Sequence, residues 1–196
     1  MAAIGWTATI PESENFTLNY RNRLFRADSG KNTVVEYGNP YWVTELSFNA
    51  LTLQQERELS SMLGALRGMY GTIKIPSWTR KRTDNLGTIQ IQSATNNSFT
   101  MTVSAPSAFS QKIFSKGDYI SFADEMFEVI SDVTTNGIGL GSVTLNKRLR
   151  NTYASGTIIE YLNPYCIMRM SDDNYSLSRS TVISNSTITF EEAFSL

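Results

Sequence analysis

The side-chain types that most enzymes use are scarce in this sequence. Its 196 residues contain no histidine and one cysteine, Cys166. Without histidine there is no Ser-His-Asp or Cys-His arrangement and no imidazole ligand for a metal. A single cysteine excludes an intrachain disulfide and a thiolate zinc site. We therefore expect no enzyme, no cofactor and no metal site, because only carboxylates, Lys, Tyr or an unaided Ser remain for such chemistry.

Three pairs of neighbouring carboxylates are the remaining candidates for acid–base chemistry: Asp124-Glu125, Asp172-Asp173 and Glu191-Glu192. Adjacent residues of a strand point to opposite faces of a sheet, so each pair is poorly placed to act on one substrate. A hydrolase with two carboxylates would need two acids that converge in a cleft, and the sequence identifies no such pair. These acids are predicted to lie at turn tips and solvated edges.

Three groups of basic residues raise the question of nucleic-acid binding. A binding surface would align them with aromatic side chains for stacking, such as Trp78 beside the second group. The net charge is −1 and no nucleic-acid-binding motif organises them, so solvated loops or ion pairs to a neighbouring subunit are favoured. The groups are Arg21, Arg23 and Arg26; Arg80, Lys81 and Arg82; and Lys147, Arg148 and Arg150.

The three tryptophans could also form a stacking platform for sugars or bases. Trp42 lies on the apolar face of a predicted strand, which favours core packing. Trp6 and Trp78 flank loop-like segments. They are predicted to contact other subunits, because aromatic side chains are enriched at such interfaces.

The elements that must position these residues are mostly short strands. The composition is 41% hydrophobic and 18% charged, and apolar and polar residues alternate over many segments between Gly, Asn, Asp and Pro turns. In 41–49, for example, Trp42, Leu46 and Phe48 share one face. The fold class is therefore mainly β. Further strands are predicted at 4–9, 22–27, 33–38, 72–75, 88–92, 99–103, 118–122, 126–131, 142–146, 157–162, 165–170, 180–183 and 187–190.

One α-helix is predicted over residues 52–67. Thr52 and Gln55 have the spacing of a capping box, and Gly68 follows the last helical residue, where a left-handed conformation is expected. The apolar residues repeat at the i, i+3, i+4, i+7 spacing of one buried face. They are Leu59, Met62, Leu63 and Leu66.

A break in the strand pattern divides the chain. Pro76 and the three cations at 80–82 interrupt the alternation, and a run of short hairpins then extends over 86–162. We predict that this run is a small β-barrel-like domain inserted into a β-sandwich of residues 1–85 and 163–196. The discontinuous sandwich is favoured because the few C-terminal strands could not bury themselves alone.

Three stretches resemble tail structural proteins of long-tailed bacteriophages, in particular distal-tail and tail-tube-like proteins. The first runs from Tyr41-Trp-Val-Thr-Glu-Leu-Ser-Phe48 through the helix to Leu66-Arg-Gly68 and Pro76. The second is Lys116-Gly-Asp-Tyr-Ile-Ser-Phe-Ala-Asp-Glu-Met-Phe-Glu-Val129. The third runs from Leu145-Asn-Lys-Arg-Leu-Arg150 to Asn163-Pro164.

The resemblance implies a tail-tube-like β-sandwich with a flanking helix that assembles as a ring, usually a hexamer, around a channel for DNA. The subunit would be a virion tail protein that links the tube to tail-tip, hub or receptor-binding components, with DNA only as transient cargo. The inserted domain would lie outside the ring. The hairpin with Arg21, Arg23, Arg26 and Lys31 is the predicted subunit contact, together with Trp6, Trp78 and the cations Arg80, Lys81 and Arg82. An ordinary intramolecular hairpin is the alternative for this segment.

A carbohydrate-binding or adhesin β-module of a virion or cell surface is the alternative, since such modules are also rich in Thr, Asn and aromatic residues. It predicts a concave cluster of exposed aromatic side chains and no ring. No apolar run approaches the length of a membrane span, and the first residues do not read as a signal peptide. We therefore expect synthesis in the host cytoplasm and no membrane insertion.

Overall fold

The computed structural model describes residues 3–179 and 184–194. This part of the chain is mainly β with one α-helix, as the sequence predicts. The helix is α1 (Leu53–Leu66), followed by a 3-10 turn (Gly68–Tyr70). The strands are β1 (Ile4–Gly5), β2 (Ser13–Arg26), β3 (Asn32–Leu51), β4 (Ile73–Pro76), β5 (Ile89–Ala94), β6 (Thr100–Ser104), β7 (Lys112–Phe114), β8 (Tyr119–Phe122), β9 (Glu125–Glu128), β10 (Val133–Thr134), β11 (Leu140–Thr144), β12 (Ile158–Ile159), β13 (Tyr165–Met170), β14 (Ser178–Arg179) and β15 (Ser184–Glu192).

The N- and C-terminal parts of the chain, here called the sheet unit, share one seven-stranded sheet. Its strand order is β1-β4-β13-β15-β3-β2, and β14 pairs with β15. The pairs are antiparallel except for β1 with β4. The strand predicted at 180–183 lies outside the described residues. Strand β2 begins nine residues before the predicted strand 22–27. The sequence pattern misses this first half because its many polar residues obscure the alternation that includes Phe16 and Leu18.

The helix covers one face of this sheet, as its apolar spacing predicts. Its capping box is present: the Thr52 N–H donates to Gln55 Oε1 at 2.9 Å, and the Gln55 N–H donates to Thr52 Oγ1 at 3.4 Å. Burying the four apolar side chains of the helix face stabilises the fold by about 1.5–3 kcal/mol each. They are Leu59, Met62, Leu63 and Leu66, all at most 5% exposed.

The end of the helix differs slightly from the prediction. The left-handed C-cap is Arg67, with φ 55°, and Gly68 follows it at φ 68°. A Cβ at Gly68 would lie 2.6 Å from Asp173 Oδ1, so a side chain there would displace the Asp173 carboxylate. That carboxylate accepts a hydrogen bond from the Met69 N–H at 3.0 Å.

Residues 86–162, here called the middle unit, form three small sheets. The largest has the strand order β11-β6-β5-β12, and the others are the pairs β7–β10 and β8–β9. Their inward side chains form one cluster of buried residues that includes Ile89, Phe114, Phe127 and Tyr161.

The core of the sheet unit extends into the middle unit. Its buried cluster contains Trp42, Phe48 and Phe190, and also Tyr119 and Met126 of the middle unit. The Trp42 indole N–H donates to the Met126 carbonyl at 2.7 Å. The two units therefore pack against each other through buried side chains. Within the described residues, no helix is long and apolar enough to cross a membrane.

Candidate functional site

Strands β2 and β3 continue past the edge of the sheet as a two-stranded ribbon. Strand β15 pairs with β3 between Val43 and Leu51, so within residues 3–179 and 184–194 no third strand pairs with the ribbon beyond. Every residue of 20–37 is exposed, and we call this segment the arm. At about 3.3 Å per residue it reaches roughly 25–30 Å beyond the sheet. The hairpin predicted around Asp28–Asn32 is thus the tip of a longer protrusion.

The arm exposes an unusual number of large apolar side chains for its length. Such residues are common singly on protein surfaces, but contiguous groups of them mark interaction sites. An isolated two-stranded ribbon also has little stability of its own in water. The exposed side chains are Tyr20 (58%), Leu24 (46%), Phe25 (51%), Val34 (62%), Val35 (45%) and Tyr37 (69%).

The basic residues of the arm are exposed, and two of them lie beside aromatic rings. The Arg21 guanidinium lies 4.9 Å from the centroid of the Tyr41 ring at the base of the arm. That of Arg23 lies 5.7 Å from the Phe25 ring. Arg26 and Lys31 flank the exposed tip. Four positive side chains on this segment can steer and register a partner of opposite charge.

The second basic group contacts the middle unit of its own chain. Arg80 Nη1 donates to the Gly117 carbonyl at 2.7 Å and lies 3.3 Å from Glu128 Oε1. Arg82 pairs with Asp84 and, at 3.1 Å, with Asp118. Lys81 is exposed between them. Of the three predicted interface cations at 80–82, two therefore have carboxylate partners within the subunit.

Trp6 and Trp78 lie against the core of the sheet unit. Their ring centroids are 5.2 Å apart at an interplanar angle of 75°, and Trp6 also stacks on Phe48 with centroids 6.1 Å apart. Both tryptophans are half-buried. With Trp42 buried as well, none of the three is a fully exposed stacking platform.

A group of four charged side chains, all at most 13% exposed, lies where the two units meet. We call Lys147, Glu192, Arg150 and Glu125 the junction cluster. Lys147 Nζ donates to Glu192 Oε1 at 2.6 Å, and Arg150 Nη1 lies 3.0 Å from both Glu192 Oε1 and Glu125 Oε2. The side chains of Lys147 and Glu192 are 0% and 1% exposed. Two positive and two negative groups thus neutralise one another across the junction.

Further hydrogen bonds hold the charged groups of this cluster. The Trp42 N–H donates to Glu192 Oε2 at 2.9 Å, and the Tyr153 hydroxyl donates to Glu125 Oε1 at 2.6 Å. Arg150 Nη2 also donates to the Pro40 carbonyl at 2.9 Å. Buried charges are tolerated when they are paired and hydrogen-bonded in this way. The cluster therefore ties β3 and β15 of the sheet unit to β9 and the 145–153 segment of the middle unit.

The pKa directions follow from this burial and pairing. Burial lowers the pKa of Lys147, with the Glu192 carboxylate opposing the shift. Burial raises the pKa of Glu192, but Lys147 and Arg150 outweigh it, so the net pKa lies below the ordinary value of 4.5. Burial and the hydrogen bond to Glu125 raise the pKa of Tyr153. Burial also raises the pKa of the Cys166 thiol, which makes it a poor nucleophile.

The predicted solvent exposure of these charges is wrong. Lys147 and Arg150 contact carboxylates within the subunit, and Glu125 and Glu192 are not solvated edges. The sequence does contain a signal for Glu192, because Ile188, Phe190 and Glu192 follow one another at period two on the buried face of β15. Lys147 carries the same signal, because Val143, Leu145 and Leu149 occupy the alternate buried positions around it. Nothing local identifies its partner, which lies 45 residues away.

The structure does bring two carboxylates together, which the sequence could not indicate. Glu125 and Glu192 share Arg150 Nη1, beside a cleft of about 680 Å³ that is also lined by Tyr153 and Phe194. Their oxygens, however, are occupied by Lys147, Arg150, Tyr153 and the Trp42 N–H. The arrangement is suited to holding the two units together. Among the described residues, no group of three or more Cys, Asp or Glu side chains could hold a metal ion.

Comparison with protein-family models finds no match for this chain, and a search of curated proteins finds no match either. The function is therefore argued from the arm and the junction cluster.

Proposed function

We propose that this protein is a structural subunit of a phage tail, which assembles through its arm into a ring around the DNA channel. The observation that carries the proposal is the arm itself. It combines six exposed apolar side chains with backbone edges that no other strand of the described chain pairs with. A strand edge of this kind is an aggregation hazard unless assembly covers it.

The junction cluster supports the same function. A ring subunit that links a tube to tail-tip components must transmit load between its units without changing their relative position. Buried pairs between Glu192 and the cations Lys147 and Arg150 fix the sheet unit against the middle unit. We assign the proposed assembly to a phage tail because residues 41–165 resemble distal-tail and tail-tube-like proteins.

The experiment compares the parent chain with an arm-less variant. An Asn-Gly turn, which favours a tight hairpin, replaces residues 22–36. Native mass spectrometry and negative-stain electron microscopy of the purified parent should show closed rings. The arm-less variant should be monomeric with an unchanged circular dichroism spectrum. Ile138→Ser, which removes an apolar side chain 70% exposed on a turn of the middle unit, is the matched control and should assemble normally.

Two outcomes would contradict the proposal. One is an arm-less variant that assembles like the parent. The other is a parent chain that stays monomeric at high concentration and binds glycans, which would favour the carbohydrate-binding module.

A further inference from the structure

The apolar side chains of the arm lie on both faces of the ribbon. In an antiparallel pair, residues directly opposite each other point to the same face. Leu24 is opposite Val34, and we call their side the first face. Phe25 is opposite Thr33, and Arg23 is opposite Val35, which places Phe25 and Val35 on the second face.

This arrangement differs from that of a ribbon that packs on one surface. A sheet with one covered face alternates apolar and polar residues, whereas a strand covered on both faces carries apolar residues on both. The first face exposes 46% of Leu24 and 62% of Val34, and the second exposes 51% of Phe25 and 45% of Val35. The described part of the chain leaves both faces uncovered, so two separate surfaces are needed to bury them.

The subunit itself supplies only an anchor at the base of the arm. Glu36, which is opposite Asn22 and so belongs to the first face, lies 3.4 Å from Arg148 of the middle unit. Arg148 in turn lies 4.7 Å from the ring centroid of Phe99. Glu36 and Arg148, with Val34, Val35 and Asn97, border an open groove between the arm and the middle unit. The groove leaves the first face accessible to another chain.

The charge distribution indicates that this other chain is a second copy of the protein. The arm carries four basic and two acidic side chains, whereas the rest of the chain carries thirteen basic and sixteen acidic ones. An arm with net charge +2 therefore complements a body with net charge −3. Opposite charges of this kind favour association of the arm with the body of a neighbouring copy.

We propose that each arm is clamped between two neighbouring copies of this chain, one on each face. This inference rests on the ring assembly proposed above and specifies how the arm takes part in it. The first face, with Leu24 and Val34, contacts one neighbour over the groove beside Arg148. The second face, with Phe25 and Val35, contacts the other neighbour.

The test removes the apolar surface of one face at a time. The first-face variant is Leu24→Thr with Val34→Thr, and the second-face variant is Phe25→Thr with Val35→Thr. Threonine keeps the strand propensity. Each variant should weaken self-association at least about tenfold in analytical ultracentrifugation, given the apolar area it removes. The matched control is Asn22→Thr with Asn32→Thr, which changes two exposed polar positions of the first face and should assemble like the parent.

A photo-crosslinking measurement keeps the test decisive even if a variant folds poorly. Benzoylphenylalanine is placed at position 34 or at position 35 of the otherwise unchanged chain, and the crosslinked peptides are identified by mass spectrometry. The two positions should link to different regions of the neighbouring copies. The proposed clamp is contradicted if one face variant assembles like the parent, or if both positions link to the same region of the neighbouring copies. Ring assembly would survive that result, since only an arm-less variant that still assembles contradicts it.

Discussion

The arm exposes apolar side chains to water, whereas the junction cluster buries four charged ones. In the arm, Val34 and Tyr37 are 62% and 69% exposed, and none of the described strands pairs with the ribbon as a third strand. In the cluster, Lys147 and Glu192 are almost fully buried and 2.6 Å apart. Both regions depart from the usual partition of side chains between core and surface. The difference teaches that the charges of the cluster are paired within one chain, whereas the apolar side chains of the arm are left uncovered by the described residues.

The largest expected effect is the loss of the buried carboxylate. Glu192→Ala leaves Lys147 and Arg150 facing each other without their shared anion, which should reduce the free energy of unfolding by about 3–5 kcal/mol. The measurement is urea denaturation followed by circular dichroism. The matched control is Glu191→Ala on the opposite face of the same strand, which removes a cross-strand neighbour of Arg169 and Val43 and should cost less than about 1 kcal/mol.

A double variant sharpens this prediction. Lys147→Met with Glu192→Leu removes both charges and should be markedly more stable than Glu192→Ala, because no buried lysine is left unpaired. Equal losses for Glu191→Ala and Glu192→Ala would contradict the assigned role of the cluster.

A smaller effect is expected in the pH dependence of stability. The pKa of Glu192 is lower in the folded chain than its ordinary value of 4.5. Its stabilisation is therefore fully present above pH 4.5 and is lost as the pH falls through the lower folded pKa. The difference in unfolding free energy between the parent and Glu192→Gln should be constant near pH 7 and shrink below about pH 4.5. A difference that stays constant to pH 2.5 would mean that Glu192 does not bind a proton preferentially in the unfolded chain.

The smallest effect on stability is expected for the arm. Val34→Thr with Val35→Thr should change the unfolding free energy by less than about 0.5 kcal/mol, since both side chains are exposed in the subunit. Thermal unfolding must be measured at a concentration where the chain is monomeric, because self-association itself raises apparent stability. A loss as large as that of Glu192→Ala would show that the arm packs within its own subunit and would remove the contrast between the two regions.

The local elements follow from the sequence by itself. The capping residues Thr52 and Gln55 and the spacing from Leu59 to Leu66 specify α1 within one residue at each end, because a helix is stabilised by contacts three and four residues apart. The alternation in 41–49 and the turn residues at Asp28–Gly30 likewise predict strands and a hairpin. Each of these signals lies within a few residues of the element that it specifies.

Only the tertiary structure decides which charged residues pair with one another and how far the arm protrudes. Lys147 and Glu192 are 45 residues apart, and Arg80 and Arg82 find partners more than thirty residues away. A run of charges has the same appearance in a solvated loop as in a buried network, because sequence records neither the partner nor the loss of water around it. The sequence predicts a hairpin at the tip of the arm. The exposure of the arm on both faces depends on where β15 stops pairing with β3. Periodicity thus determined the secondary-structure elements. Long-range packing determined the candidate interface, because it removes water from some charged side chains and leaves some apolar side chains exposed.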